Sequence, residues 1–369
     1  MELADKVIDA IEKKGMTQAK VSAALGWHRS VLWRFLNGGS LYFHNAVHLS
    51  KHLFGENWLE VIDEYCLTLD TDMGILSAFE YASTHDRQPL IASLSKLHKN
   101  KKAEIQRWVS VYKVHGEGAS EEALDILRDI YGKILSKEVR IKVLLTKAKI
   151  YYEDGELTTA EALVKAAIPK IKDLKVKNSF VKQSLMVAAN AFYEDIKLLI
   201  SYDTAGAIEC ADEVIASCAS SGKMVAKAWR VKGLACMYDD FDESISCLEK
   251  AANIYGENEL FDIRDEIIRV DIPFVKNVNR KVFYDDNDIV KEELAHQYIV
   301  RGEHEEALRV LDSLGEPNAI SDFYRSMATR DFKGIISAYQ QLLISGKAYY
   351  VHLGKREIVA IYDEKLMSC

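Results

Sequence analysis

The apolar residues of this chain recur at helical spacing almost from end to end. No stretch shows sustained alternation of apolar and polar residues with strand-type turns, and the 369 residues include only four prolines. Alternation with a period of two is typical of strands, whereas repeats three and four residues apart are typical of helices. The pattern therefore predicts an all-α protein.

Residues 16 to 39, MTQAKVSAALGWHRSVLWRFLNGG, predict two short helices joined by a tight turn. Thr17 is placed to cap the first helix, and Gly26 permits a sharp change of direction after it. The second helix should end at Asn37, because the two glycines that follow favour a left-handed cap. This is the pattern of a helix-turn-helix.

In a helix-turn-helix the second helix enters the major groove of DNA, and the first braces on the backbone. If Leu32 and Phe35 are buried, the remaining positions of the second helix face outward. Arginine there can bond guanine in two places, and a residue at the first helix's N-terminus can hold a phosphate. The candidate DNA-contacting residues are Gln18, His28, Arg29, Ser30, Trp33 and Arg34. Two alternatives stay open: a structural helix pair with solvated arginines, and a Trp33 that covers the head's own core.

Charge favours the DNA-binding interpretation. Residues 1–55 hold seven lysines and arginines against four acidic residues, with four histidines besides, although the whole chain has a net charge of −8. A basic head on an acidic body confines the attraction for phosphate to one end. Because so small a charge binds DNA weakly, we expect a homodimer that places two heads on two half-sites of double-stranded DNA.

Composition is that of an ordinary soluble globular protein, with 49% hydrophobic and 28% charged residues. The N-terminus lacks the pattern of a signal peptide and no membrane span is evident, so we expect a cytoplasmic protein. The six cysteines form no CxxC pair, so neither disulfides nor a metal site is expected. The expected domains are a head over 1–55, a helical linker with the first solenoid helices over 56–135, and a sensing domain over 136–369.

Several later segments predict helical hairpins that repeat. KAKIYYEDGELTTAEALVKAA (147–167) and LAHQYIVRGEHEEALRVLDSL (294–314) place alanine, glycine and alanine in the same register, at the spacing of tetratricopeptide repeats. KGLACMYDDFDESISCLEKAA (232–252) follows the plan with Asp242 in place of the glycine, and 179–218 and 322–346 are looser. Repeats of this size stack into a right-handed α-solenoid with a concave binding face.

The first helix of each repeat should line that concave face. Counting from the small residues places a mixed polar and apolar set of side chains there, suited to an extended peptide or to a partner's helix. Each of them is alternatively a solvated charge or a packing residue within the solenoid. This set is Lys149, Tyr152, Arg230, Leu234, Met237, Glu292, His296 and Ile299.

Catalytic motifs are missing from the sequence. His304-Glu305 resembles the start of HExxH, but Leu308 stands where the second zinc ligand is required. No P-loop, GxGxxG or GxSxG motif occurs. We therefore expect no catalytic residues, no cofactor and no enzyme.

The chain also resembles a known family, the arbitrium receptors of temperate Bacillus phages, within the peptide-sensing regulators with tetratricopeptide repeats. The resemblance rests on the helix-turn-helix, the repeats and four further segments: EYCLTLD (64–70), SAFEYAS (77–83), WVSVYKVHGEG (108–118) and KAYYVHLGKREI (347–358). It implies a dimeric transcription activator that drives a negative regulator of lysogeny. It also implies that a short phage-encoded peptide binds the solenoid and abolishes activation.

The resemblance also suggests contacts for the peptide. Lys223 stands near an arginine of the relatives, and Asp195, Leu199 and Leu234 stand where relatives carry peptide-binding asparagines. Lys347 stands where an aspartate clamps a basic peptide residue. A lysine would repel that residue, so we expect a peptide with a neutral or acidic residue there.

Two other functions stay open at this stage. A host-encoded quorum-sensing regulator would have the same architecture, and a tetratricopeptide adaptor that sequesters a partner protein could use the N-terminal helices for protein contact. The apolar stretch EIVAIYDEKL (357–366) is a candidate for either the dimer surface or the cap of the solenoid.

Overall fold

The computed structural model describes residues 2–117, 120–175, 180–284, 288–344 and 348–367, with the backbone alone at 117, 348, 349 and 360–367. Every regular element in these ranges is helical, which confirms the predicted all-α class. In chain order the helices are α1 Leu3–Lys13, α2 Gln18–Ala24, α3 Arg29–Leu36, α4 Phe43–Phe54, α5 Trp58–Cys66, α6 Asp72–Thr84, α7 Gln88–Leu97, α8 Ala103–Glu117, α9 Glu121–Tyr131, α10 Lys137–Glu153, α11 Leu157–Lys172, α12 Phe180–Ile196, α13 Thr204–Ala216, α14 Gly222–Cys236, α15 Phe241–Glu257, α16 Phe261–Glu266, α17 Ile272–Val278, α18 Lys291–Arg301, α19 His304–Asp312, α20 Ala319–Thr329, α21 Phe332–Ile344 and α22 Ala348–Met367. A 3₁₀ turn spans Gly55–Asn57, and π-helical segments span Lys197–Ser201 and Ile267–Asp271.

The chain divides into two compact units. The first unit contains Met1–Ala189 together with Ala216–Ser221, and the second contains Asn190–Ile215 and Gly222–Cys369. The division at Ala189 lies within α12 and inside the domain expected over 136–369. Helices α10 and α11 thus belong to the same unit as the N-terminal head.

The head of the first unit is built from amphipathic helices. Leu3, Val7 and Ile11 form one buried stripe along α1, since residues four apart lie on the same face of a helix. The Thr17 hydroxyl accepts a hydrogen bond from the backbone N–H of Lys20 at 3.2 Å, which confirms the predicted cap of α2. Gly26 has φ +66°, a left-handed conformation that favours glycine, and it makes the tight turn into α3.

A buried polar network lies in the core of the first unit. Glu80 accepts hydrogen bonds from the hydroxyls of Tyr112 at 2.6 Å and Ser184 at 2.9 Å, and it lies 3.6 Å from Nζ of Lys142. Both members of this ion pair are buried, and Lys142 also donates to the Ser83 hydroxyl at 3.0 Å. The network joins α6, α8, α10 and α12.

The predicted hairpins are present in both units. Helices α10 and α11 form the first, with Gly155 at φ +80°, and α18 and α19 form another, with Gly302 at φ +82°. The small residues Ala148, Ala160, Ala295, Ala307, Ala235 and Cys247 are all buried where paired helices approach. Pairs α14 with α15 and α20 with α21 complete the repeat pattern of the second unit.

Four side chains of the second unit that were predicted to line an open concave face are buried instead. Leu234, Met237 and Ile299 lie in its apolar core and are at most 9% exposed. His296 is 1% exposed, and its ring lies 4.4 Å from the ring of Tyr324 on α20. The expectation that these four side chains line an open face is wrong in this structure. Leu234 and Met237 are covered by the apolar core, and α18, which carries His296 and Ile299, packs directly against α20.

Candidate functional site

The exposed face of α3 is the first candidate site. Leu32 and Phe35 are buried, while Arg29, Arg34 and Trp33 are exposed, Trp33 at 57% of its surface. An apolar side chain of that size left in water, between two arginines, does not cover the head's own core. The two open interpretations of Trp33 thus resolve in favour of an outward-facing ring.

Local hydrogen bonds fix the ends of α3. The backbone N–H of Ser30 donates to Nδ1 of His28 at 3.3 Å, so His28 caps the helix, and the Ser30 hydroxyl lies 2.8 Å from the same nitrogen. Arg34 Nε donates to the carbonyl of Ser30 at 3.3 Å. Ser30 is half-buried, and Gln18 is exposed at the first position of α2.

Two of the head's basic residues are engaged within the first unit. Lys6 pairs with Glu64 on α5 at 2.5 Å, and Lys51 donates to the backbone carbonyl of Cys218 at 2.9 Å. The exposed cations of the head are Lys13, Lys14, Lys20, Arg29 and Arg34. The exposed positive charge of the head therefore lies on or beside α1, α2 and α3, with Arg29 and Arg34 on the exposed face of α3.

A second candidate site surrounds α14 in the second unit. Lys223, Lys227 and Arg230 occur three and four residues apart, so they share one face of this helix. Lys227 Nζ donates to the carbonyl of Ala191 at 2.9 Å and lies 3.4 Å from an oxygen of Asp195, both on α12. We call Glu194, Asp195, Lys227, Arg230, Glu266 and Asp271 the ion cluster.

Arg230 is the most fully paired member of the ion cluster. Its Nε donates to Asp271 at 2.6 Å, and its Nη2 donates to Asp271 at 3.2 Å and to Glu266 at 2.7 Å. Burial alone would lower the pKa of Arg230, but the two carboxylates raise it above its ordinary value. Burial raises the pKa of Asp271, and the guanidinium partly offsets that effect. This planar fork of donors also suits a ligand carboxylate.

Glu194 differs from the other acids of the ion cluster because its carboxylate has no hydrogen-bond partner in the part of the chain that the structure describes. Its side chain is completely buried, and neither carboxylate oxygen accepts a hydrogen bond from the described residues. Burial raises its pKa to about 8, although Lys227 acts in the opposite direction. Glu194 is therefore mostly protonated at neutral pH, and the cluster carries one negative charge fewer than its sequence indicates.

Both π-helical segments adjoin the ion cluster. Lys197–Ser201 begins two residues after Asp195, and Ile267–Asp271 ends on the partner of Arg230. Such segments interrupt the regular ladder of an α-helix and occur often at functional sites. Tyr202, just beyond the first segment, has φ +51°, a conformation that is strained for a residue with a side chain.

The remaining predicted peptide contacts lie in different places. Lys149 and Tyr152 belong to the first unit, where Lys149 Nζ donates to the carbonyl of His115 at 3.0 Å. Leu199 is half-buried in a π-helical segment, and Lys223 is exposed in the first turn of α14. Lys347 lies outside the described residues.

Sequence reasoning missed four residues of the ion cluster. Lys227 lies one helical turn from both Lys223 and Arg230, so a step of three or four along α14 could have found it. Glu194, Glu266 and Asp271 carry no such signal, because only the placement of α12, of the end of α16 and of the π-helical segment beside α14 reveals them.

The described ranges include no helix that is both long enough and apolar enough to cross a lipid bilayer. They also contain no group of three or more histidine, cysteine, aspartate or glutamate side chains that would hold a metal ion.

Comparison with known proteins decides the family. A family model described as AimR transcriptional regulator-like matches residues 59–359. The chain belongs to the AimR transcriptional regulator-like family. This is a family of regulators and not of enzymes, which confirms that expectation and the resemblance to arbitrium receptors.

Solved AimR structures share the fold of this AimR-like chain. The structure of SeMet-phAimR superposes with a TM-score of 0.76 and 19% identity, over 98% of this chain and 99% of that one. The structure of phAimR-Ligand gives a TM-score of 0.63 and 19% identity, over 87% of this chain and 98% of that one. No curated protein matches the sequence.

Proposed function

We propose that this AimR-like chain is a peptide-responsive, DNA-binding transcription regulator of the arbitrium type. It controls the choice of a phage between lysis and lysogeny, is active on its promoter without peptide, and is switched off when a short communication peptide binds. The family match supports the regulator, and the naming of a ligand for one solved relative supports a second binding partner.

The face of α3 is the single observation that carries the DNA-binding part. Arg29, Trp33 and Arg34 are exposed while Leu32 and Phe35 hold the helix on the head. We assign base contacts to Arg29, Ser30 and Arg34, and phosphate contacts to Gln18 and the backbone N–H groups beside it. His28 contributes by capping the helix, and Trp33 by packing against the sugar and bases.

The peptide is assigned to the ion cluster and its surroundings. Lys223, Lys227 and Arg230 supply cations along α14, and Asp195 supplies an anion on α12. A short peptide carries an ammonium and a carboxylate at its ends, and both need counter-charges when they leave water. We place the carboxylate on the α14 cations and the ammonium near Asp195.

Dimerisation follows from the small positive charge of the head. Two heads on one duplex would roughly double the number of phosphate contacts, which raises affinity steeply at physiological salt. We therefore propose a homodimer on an operator of two half-sites, acting in the bacterial cytoplasm where its DNA lies.

Fluorescence anisotropy on labelled promoter DNA tests the DNA-binding part. The wild type should lose affinity steeply as salt rises, and Arg29→Ala with Arg34→Ala should abolish specific binding. Lys170→Ala with Lys172→Ala removes the same charge from exposed positions of α11 and is the matched control. If both double variants bind DNA equally well, α3 is not the helix that contacts the bases. That result would favour the alternative of an adaptor that sequesters a partner protein.

A further inference from the structure

The segment Ala216–Ser221 connects α13 to α14 but packs with the first unit. Ala219, Ser220 and Ser221 are all buried there. α14 begins at Gly222, directly after this segment, and carries Lys227 and Arg230 of the ion cluster. A shift of the start of α14 must therefore strain or move the segment.

One side chain of the head holds this segment. Lys51, on α4, donates to the carbonyl of Cys218 at 2.9 Å and reaches that of Ser220 at 3.5 Å. Its ammonium also lies 4.7 Å from the centre of the Trp58 ring on α5. No carboxylate of the described residues lies within ion-pair distance of Lys51, so backbone carbonyls and an aromatic face are its main partners.

This arrangement is unusual for a lysine. A half-buried ammonium loses much of its hydration, and neutral carbonyls replace it less well than a carboxylate would. The hydrogen bonds are therefore sensitive to small displacements of the segment. α4 is in turn held in the core, where its Phe43 ring lies 4.9 Å from that of Phe180 and 6.0 Å from that of Tyr81.

We propose that Lys51 is a positioning residue that couples ligand binding at the ion cluster to the DNA-reading head. A ligand that draws α14 toward itself displaces the carbonyls of Cys218 and Ser220, and Lys51 transmits that displacement to α4, which follows α3 in the chain. This inference rests on the proposed function, since it requires both a ligand and DNA binding.

The test measures the coupling itself. Lys51→Met keeps the length and apolar stem of the side chain but removes its donors, and Lys51→Arg retains a cation with donors. For each variant, DNA affinity is measured with and without the synthetic peptide that matches the C-terminus of the small open reading frame downstream. Lys96→Met, at an exposed lysine of α7, is the control.

We expect the wild type and Lys96→Met to change DNA affinity at least about fivefold on adding peptide, within the usual range of coupled sites. Lys51→Met should bind DNA alone and peptide alone within about threefold of the wild type, while the ratio of its DNA affinities without and with peptide falls toward one. Lys51→Arg should restore part of the peptide effect on DNA affinity. Full coupling in Lys51→Met would overturn the inference and leave the proposed function standing. A wild type without any peptide effect would overturn both.

Hydrogen exchange on the wild type gives an independent readout if Lys51→Met does not fold. Adding the peptide should change the exchange of amides in 217–221 and in the second half of α4 together. A peptide that alters DNA affinity while both sets of amides keep their exchange rates would exclude this route.

Discussion

Arg230 and Asp271 meet side by side, with the Nε of the arginine 2.6 Å from Oδ2 and its Nη2 3.2 Å from Oδ1 of the carboxylate. Two parallel hydrogen bonds of this kind fix both the distance and the plane of the pair. They join α14 to the end of a π-helical segment at the centre of the ion cluster. The pair therefore holds the shape of the proposed peptide site as well as part of its charge.

Removing one member of this pair should cost stability. Arg230→Met leaves Asp271, which is 7% exposed, without its cation, and breaking a buried pair typically costs about 3–5 kcal/mol. Urea denaturation monitored by circular dichroism measures the loss. Arg230→Lys should rescue little of it, because an ammonium cannot reproduce the side-by-side geometry.

The control for Arg230 is a second ion pair of α14, whose acidic partner is exposed on α13. Lys232 lies 2.8 Å from Asp212, whose side chain is 54% exposed, so Lys232→Met should cost about 1 kcal/mol or less. Equal losses in the free energy of unfolding for Arg230→Met and Lys232→Met would show that the Arg230 pair contributes no more to stability than the Lys232 pair.

The raised pKa of Glu194 predicts a loss of stability as pH rises from mildly acidic to neutral values. Its pKa is about 8 in the folded chain and 4.5 when unperturbed, so the unfolded state loses its proton first as pH rises. The free energy of unfolding should fall between about pH 4.5 and pH 8, by about 3 kcal/mol at pH 7. Glu194→Gln, which cannot ionise, should be more stable at pH 7 and should flatten this part of the profile.

Urea denaturation at a series of pH values between 5 and 8 checks the Glu194 prediction. Glu209→Gln, at an exposed position of α13, should leave the profile unchanged. A Glu194→Gln variant with the same slope as the wild type would mean that Glu194 titrates normally in the folded chain.

His85 predicts a loss of stability in acid. Burial, with smaller contributions from Lys51 and Arg87, lowers its pKa from 6.5 to about 3. Below pH 6.5 His85 is protonated in the unfolded state but stays neutral in the folded state. The free energy of unfolding should therefore fall as pH falls toward 3, by about 2 kcal/mol at pH 5.

His85→Phe tests this directly, because the ring packs 5.1 Å from Trp58 and its Nε2 has no hydrogen-bond partner among the described residues. Thermal melts at pH 5 and pH 7 should differ less for His85→Phe than for the wild type. His52→Phe changes an exposed histidine of α4 and should keep the wild-type difference. An unchanged difference in His85→Phe would assign the acid sensitivity to other groups.

Some of this structure could be predicted from local signals, and some could not. Thr17, Gly26, Gly155 and Gly302 act through their own conformations or immediate neighbours, so sequence alone located the turns and caps. The prediction that His296 lines an open face is wrong, because helical periodicity shows which residues share a face of a helix but not how many neighbouring helices cover that face. A helix inside a solenoid is packed on more than one side, and α20 covers the face that was expected to be open.

Gly26 allows a test of the turn between α2 and α3. A Cβ at this position would meet no atom within 4 Å, but φ is +66°, so Gly26→Ala should cost about 1–2 kcal/mol through backbone strain alone. Gly132 also has open space but a helical φ of −67°, so Gly132→Ala should be neutral or slightly stabilising. Differential scanning calorimetry compares the two. A neutral Gly26→Ala would mean that the turn relaxes without strain.

The most direct test of the central claim is a mobility shift of the purified chain on DNA from upstream of its neighbouring genes. The synthetic peptide that matches the C-terminus of the small open reading frame downstream is added at increasing concentration. A peptide-gated regulator should shift this DNA, and a micromolar or tighter peptide should remove the shift or abolish transcription from the promoter. No shift on any such DNA, with the second unit instead retaining a partner protein, would contradict the account and identify an adaptor.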